Sequence, residues 1–209
     1  MRALTISLLM AWPLLAGPSV LDKLQAVYDK TSSFEADFKQ TYWNKLFDRT
    51  DKSEGTLAYQ KPGKMRWDYL KPNKKSFILN GKNLWLVEPA EKIAYINKCF
   101  ESDGLTASLV FLGGKGKLKQ QFIARPGTKA NELVLTPKKP NGIFNELVLV
   151  YEPTTFRVVQ TTLIDPDGNK NQFLFEKKRF NQKSDMKRFE FKAAGGIQLL
   201  DMPGSCGVI

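Results

Sequence analysis

The sequence contains no histidine, and only two of its 209 residues are cysteine. Without imidazole there is no Ser-His-Asp or Cys-His nucleophilic site and no histidine-ligated metal centre. Long apolar runs are also missing beyond the N-terminus, so no later segment suits a membrane-spanning helix. Nor is there a nucleotide motif. Gly113-Gly114-Lys115-Gly116-Lys117 resembles a phosphate cradle, but it follows a predicted helix, precedes a strand and lacks a Ser or Thr after the lysine, the reverse of a P-loop. Asp165-Pro166-Asp167-Gly168-Asn169 is rich in oxygen ligands yet lacks the remaining spacing and closing glutamate of a calcium loop, so it reads as a turn. Carboxylates such as Asp48, Asp51 and Glu152 have no apolar setting that would split their acidities. No positive signal for an enzyme remains, and none for a cofactor.

What is present begins at the N-terminus. Arg2 precedes an apolar run from Ala3 to Leu15 broken only by Thr5, Ser7 and Pro13, and the small pair Ala16 and Gly17 follows. That order is the one a secretory signal peptide uses, and the run is too short for a spanning anchor. Residues 1–17 are therefore expected to be a signal cleaved near Ala16 or Gly17, leaving 18–209 as a single domain. A lipoprotein signal would place a cysteine next, whereas position 18 is Pro18, so the exported chain is expected to carry no lipid anchor. Cys99 and Cys206 would meet an oxidising compartment, which permits a bond between them without requiring one. Closing so long a loop would stabilise by on the order of 4 kcal/mol in the chain-entropy model.

The formal net charge is +11, of which Arg2 leaves with the signal. Basic proteins dock on nucleic acid, lipid head groups or acidic proteins, and export makes nucleic acid the least suited of these. The lysines are scattered singly and in pairs such as Lys74-Lys75, Lys138-Lys139 and Lys177-Lys178, the pattern of a solvated surface.

Periodicity supplies the fold class. Ser19 is placed to cap a short helix with Leu21, Leu24, Val27 and Tyr28 on one face. After Ser33 the period becomes two. Phe34, Ala36, Phe38, Gln40 and Tyr42 share one side of a strand, Gly55, Leu57 and Tyr59 another, and Met65, Trp67 and Tyr69 a third, with Arg66 and Asp68 facing away. Lys61-Pro62-Gly63-Lys64, Asn80-Gly81 and Pro89-Ala90 mark turns. Alternation resumes through Leu118, Gln120, Phe122 and Ala124, then Leu133 and Leu135, Leu147 to Tyr151, Arg157 to Ile164, and Asn169 to Phe180. Only Asp103 to Leu112 interrupts it, where Leu105, Leu109 and Leu112 fit a short helix stopped by Gly113-Gly114. The expectation is a mainly β protein, a single curved antiparallel sheet of about eleven strands forming an incomplete barrel, closed by short helices that act as a lid. Fourteen phenylalanines, six tyrosines and four tryptophans, Trp12 among the leader residues, exceed what a thin sheet with two small helices needs. They fit either ordinary core packing or a pocket for a long apolar ligand.

One family carries these residues in this order. Ser33-Phe34 with Phe38 and Gln40, Gly55 and Leu57, the block Lys61-Pro62-Gly63-Lys64-Met65-Arg66-Trp67-Asp68-Tyr69 with Pro72, and Asn80-Gly81-Lys82-Asn83-Leu84-Trp85 resemble the LolA family of periplasmic lipoprotein carriers. Weaker likeness continues through Leu133 to Pro137, Asp165 with Gly168, and Phe189-Glu190-Phe191. The resemblance implies a LolA-like half-barrel in the periplasm, a monomer with no cofactor, whose cavity receives the acyl chains of lipoproteins. It implies an inner-membrane ABC lipoprotein-releasing complex as donor and an outer-membrane acceptor. Alternation then nominates Phe38, Tyr59, Met65, Trp67, Phe77 and Trp85 as cavity lining, and Leu105, Leu109 and Leu112 beneath the lid. Lys61 stands where the family usually has an arginine that latches the lid, and lysine lacks the planar fork of that residue. Thr106 is followed by Ala107 where the family usually has a proline, and Ala193-Ala194 stand where another is expected. A lipid- or lipoprotein-sensing module on the same scaffold is the alternative, although no second domain is present to transmit a signal.

Overall fold

In the computed structural model the described residues are 17–98, 100, 117–140, 142–193 and 195–202. Helix α1 spans Val20–Asp29 and starts where the sequence says it should. The Ser19 hydroxyl accepts from the Asp22 amide at 3.3 Å, while the Asp22 carboxylate accepts from the Ser19 amide at 3.0 Å. This reciprocal box satisfies two of the donors that a helix N-terminus leaves free and sets a negative charge on the positive end of the dipole. Leu21, Leu24 and Tyr28 form the buried face.

The remaining chain is almost entirely strand. In order these are β1 (Ser33–Asn44), β2 (Arg49–Gln60), β3 (Lys64–Lys71), β4 (Lys75–Asn80), β5 (Leu84–Glu88), β6 (Ile93–Asn97), β7 (Phe122–Pro126), β8 (Glu132–Pro137), β9 (Glu146–Tyr151), β10 (Val158–Ile164), β11 (Lys170–Phe180) and β12 (Gln198–Asp201). They make one curved sheet in the order β12-β6-β5-β4-β3-β2-β1-β11-β10-β9-β8-β7. Two consecutive meanders, β1 to β6 and β7 to β11, are thus joined through the β1–β11 pair. The mainly β half-barrel expectation, with about eleven strands, holds, with one correction. The described sheet has twelve strands, and β12 pairs with β6 in parallel rather than antiparallel. Parallel pairing needs a crossover, and the segment after β11 supplies it by running over the sheet to the far edge.

Another correction concerns Leu118–Gln121, where alternation predicted strand. These residues form a helical turn, α2, before β7 begins. Leu118 donates its amide to the Gln25 side chain of α1 at 2.8 Å, and Lys119 pairs with Asp22 at 2.6 Å. Contact with α1 overrides the first part of the alternation, which holds from Phe122 onward. The Asn80-Gly81 turn is also displaced by one residue. Asn80 stays in its strand and accepts from the Lys82 and Asn83 amides, while Gly81 takes φ 99°, a backbone state glycine adopts without steric cost. Asp165 to Asn169 is the turn the sequence suggested, its Asp165 carboxylate accepting from the Asn169 amide at 2.9 Å.

The sheet buries apolar side chains on both faces. On the inner face, which α1 covers, a large cluster runs from Leu79 and Leu84 through Trp67, Phe38 and Phe173 to Leu149 and Leu135. On the outer face a smaller cluster of Ile78, Trp85, Val87, Ala94 and Ile96 packs under Phe191 and Ile197. The strap between β11 and β12 lies there, including a 3-10 turn at Met186–Phe189 whose Phe189 is fully buried beside β3 and β4.

Candidate functional site

The inner face follows from register. Phe34, Ala36 and Phe38 of β1 alternate with Glu35 and Asp37, and β1 pairs Phe34 with Tyr59 and Ala36 with Leu57. Tyr59 and Leu57 in turn face Met65 and Trp67, which face Leu79 and Phe77. On the other side Phe38 pairs with Phe175, and Phe173 with Thr161. Directly opposed residues share a face, so these side chains form one wall. Phe38 sits at its centre, with ring centroids 5.5 Å from Trp67, 5.1 Å from Tyr69 and 5.8 Å from Phe173. Edge-to-face contacts of this kind add about 0.5–1.5 kcal/mol each beyond area burial. Gly55 makes room for that ring. A Cβ there would stand 2.8 Å from Phe38 Cζ and 2.0 Å from the Asp68 carbonyl oxygen.

Of the predicted lining, Phe38, Tyr59, Met65 and Trp67 are buried on the inner face and Phe77 is half-buried there. Trp85 is a correction. It pairs with Ile78 and Ile96 and belongs to the outer cluster, its ring centroid 6.1 Å from that of Phe191. The partners of Phe77 and Leu79 on β5 are Leu86 and Leu84, so alternation carried through the hairpin one residue out of phase selects the wrong face. Phe34, Tyr69, Phe173 and Phe175 are inner-face aromatics that the nomination passed over. The signal was present, since they share the alternation that selected Phe38. Leu105, Leu109, Leu112, Cys99 and Cys206 lie outside the described residues.

Lys61 binds helix α1. Its Nζ donates to the Tyr28 carbonyl at 2.6 Å, with the Asp29 carbonyl at 3.5 Å. The last turn of α1 carries no cation of its own, so the β2–β3 turn supplies one to the negative end of the helix dipole. The Tyr28 hydroxyl makes a second attachment, accepting from the Val158 amide at 2.8 Å. Arg66, by contrast, faces outward and donates to the Arg188 carbonyl at 3.0 Å and the Asp68 carboxylate at 2.7 Å.

Electrostatically the inner face is quiet. Burial pushes the hydroxyls of Tyr59 and Tyr69 up to about 12, and that of Tyr28 upward as well. The carboxylates considered from sequence have ordinary partners: Asp51 pairs with Arg49, Asp48 accepts from the Trp43 indole, and Glu152 pairs with Lys178. Among the described residues there is no group of three metal-ligating side chains. A surface groove of about 410 Å³ lies near the strap, lined by Ser32, Gln60, Asn181, Gln182, Lys183, Ser184 and Met186. Chemically, the inner face can do one thing well, which is to shelter hydrocarbon from water.

The family model described as outer membrane lipoprotein carrier protein LolA matches residues 29–192. The chain belongs to the LolA family. It is 26% identical over 189 residues to the outer-membrane lipoprotein carrier protein of Chromobacterium violaceum, covering 88% of this chain and 89% of that protein. The protein of the same name from Pseudomonas aeruginosa is 26% identical over 184 residues, with 87% and 88% covered. Among solved structures, an uncharacterised conserved protein of Thermus thermophilus superposes with a TM-score of 0.55 at 9% identity, covering 88% of this chain and 97% of its own. That likeness shows the fold alone. Lys61 of this chain reaches two carbonyls at the end of α1.

Proposed function

We propose that this protein is a periplasmic carrier that takes the acyl chains of lipoproteins against the inner face of its sheet and moves them from the inner to the outer membrane. The observation that carries this reading is the continuous apolar wall from Leu79 across Trp67, Phe38 and Phe173 to Leu149, on a chain of the LolA family. Burying acyl chain stabilises by ~0.8 kcal/mol per methylene, so exposing one long chain to water costs on the order of 10 kcal/mol. A diffusing protein must therefore cover the chain completely, and a covered wall backed by a helix meets that need. Helix α1 occupies part of the wall through Leu21, Leu24 and Tyr28, so loading requires its displacement. The bonds of Lys61 and Tyr28, with those of Gln25 and Asp22 to Leu118 and Lys119, set how readily it moves.

In this reading the donor is an inner-membrane ABC lipoprotein-releasing complex, which supplies the energy, and the recipient is an outer-membrane acceptor. No helix among the described residues is long and apolar enough to cross a membrane, in keeping with a diffusing carrier. The work is binding and transfer, with no bond made or broken. The test is saturable binding of a long-chain fluorescent fatty-acid probe by the purified protein, together with release of a radiolabelled lipoprotein from inner-membrane vesicles on its addition. Stoichiometric binding and release are expected. Failure of both overturns the reading.

A further inference from the structure

Among the described residues, three buried side-chain polar atoms have no hydrogen-bond partner: Tyr59 Oη, Trp67 Nε1 and Thr161 Oγ1. Their residues are only 2%, 4% and 0% exposed. An unsatisfied buried group costs about 1–3 kcal/mol, and native interiors keep few of them. All three sit on the inner face. Tyr59 lies opposite Phe34 and Met65, Trp67 opposite Leu57 and Phe77, and Thr161 opposite Phe173 and Leu149. The Trp67 and Phe173 ring centroids are 4.9 Å apart, so Trp67 and Thr161 flank the same aromatic ring.

Loose construction does not account for them, because comparable groups nearby are satisfied. The Tyr28 hydroxyl accepts from Val158, Thr31 donates to the Val27 carbonyl at 2.9 Å, and Ser33 donates to the Gln182 carbonyl at 2.8 Å. The three unpaired atoms also share one chemistry. An indole N–H can only donate, and both hydroxyls donate. Acceptor oxygens would satisfy all three, and plain hydrocarbon would satisfy none.

We infer that the inner face recognises its ligand by carbonyl oxygens as well as by chain: Tyr59 and Trp67 donate to an ester or amide carbonyl, and Thr161 donates to a second acceptor further along the same wall. This rests on the reading that acyl chains occupy the inner face, and it adds the ligand class, fatty esters and amides in preference to alkyl ethers or alkanes. Tyr59 and Trp67 are diagonal neighbours on β2 and β3, since Tyr59 pairs with Met65 and Leu57 with Trp67, so their side chains stand side by side on one face. With its hydroxyl pushed to about 12 by burial, Tyr59 keeps its proton at neutral pH.

The experiment compares a dipalmitoyl glycerol diester with its dihexadecyl ether analogue as competitors of a fluorescent fatty-acid probe on the purified chain. The diester is expected to bind about tenfold more tightly. Tyr59→Phe and Thr161→Val are each expected to reduce that ratio and, combined, to bring it near one. Both variants should melt no lower than the parent, because an unpaired buried hydroxyl is removed, which separates lost recognition from lost folding. Equal affinity for diester and ether, or an undiminished ratio in the double variant, overturns this inference and leaves the carrier reading standing. No saturable binding of either compound overturns both.

Discussion

The two faces of the sheet are closed in different ways. On the outer face the strap from β11 to β12 is fixed by polar contacts: Arg188 to the Glu35 carboxylate at 2.5 Å, Arg179 to its other oxygen at 2.9 Å, Ser184 to the same group at 3.2 Å, and Arg66 to the Arg188 carbonyl. Backbone pairing of β12 with β6 fixes its far end. On the inner face α1 rests on a broad apolar wall, and its C-terminal end is attached through Lys61 and the Tyr28 hydroxyl. Apolar contact is not directional and exchanges readily for another apolar surface, whereas a network of charged hydrogen bonds specifies one arrangement. The outer closure is therefore suited to permanence and the inner one to replacement by a ligand.

The largest expected effect tests whether the faces are functionally separate. Phe38 is 1% exposed at the centre of the inner wall and Trp85 is 9% exposed in the outer cluster. Phe38→Ala and Trp85→Ala should each destabilise by ~3–5 kcal/mol in denaturant unfolding, the usual range for truncating a buried aromatic. Only Phe38→Ala should alter probe affinity in the protein that remains folded. Loss of binding in folded Trp85→Ala would show that the two faces act as one.

How far the sequence reveals this comparison depends on distance along the chain. The α1 cap, the alternation of β1 to β3 and the Asp165 turn are local, and Phe38, Met65 and Trp67 were legible from it. The parallel β12–β6 pair joins residues 198–201 to 93–96, and no local pattern encodes a partner so remote. Trp85 misled for a related reason. It is a buried aromatic on a two-sided strand, where Leu84, Trp85 and Val87 are all buried, so hydrophobicity does not say which face is which. The unpaired donors were invisible, since a Tyr or Trp in an alternating run looks the same whether or not its polar atom has a partner. Glu35 carries no local signal in the sequence, and only the strap gives it a role.

That role has a pH signature. Burial pushes the Glu35 carboxyl upward, but the Arg179 hydrogen bond, the Arg188 charge and the Ser184 hydroxyl together outweigh it, and it titrates below the ordinary glutamate range. A folded-state value below the unfolded one stabilises above the unfolded value of ~4.3, and that contribution is lost as pH falls through the folded value. Glu35→Gln should cost ~2 kcal/mol at neutral pH, a partly exposed network deserving less than a fully buried pair. It should also remove part of the decline in stability below about pH 4.3. An unchanged pH profile in Glu35→Gln would mean that the strap is held by apolar contact alone, and the contrast between faces would weaken.

The smallest effect concerns the inner closure. Lys61→Ala removes a charged donor from the α1 carbonyls and should lower global stability by only ~1 kcal/mol, the scale of one helix-end cation or hydrogen bond. Local opening should change more than the global value, because Lys61 holds the end of α1 while the β1–β2–β11 centre is not involved. Amide exchange in residues 20–29 is expected to quicken about fivefold, that in β1 to remain at the global rate, and probe association to accelerate with α1 opening. Lys61→Arg should restore slow exchange, since a guanidinium reaches the same carbonyls with more donors. If Lys61→Ala speeds exchange equally in α1 and β1, the helix is part of the cooperative core, and a ligand must enter by a route other than displacing it.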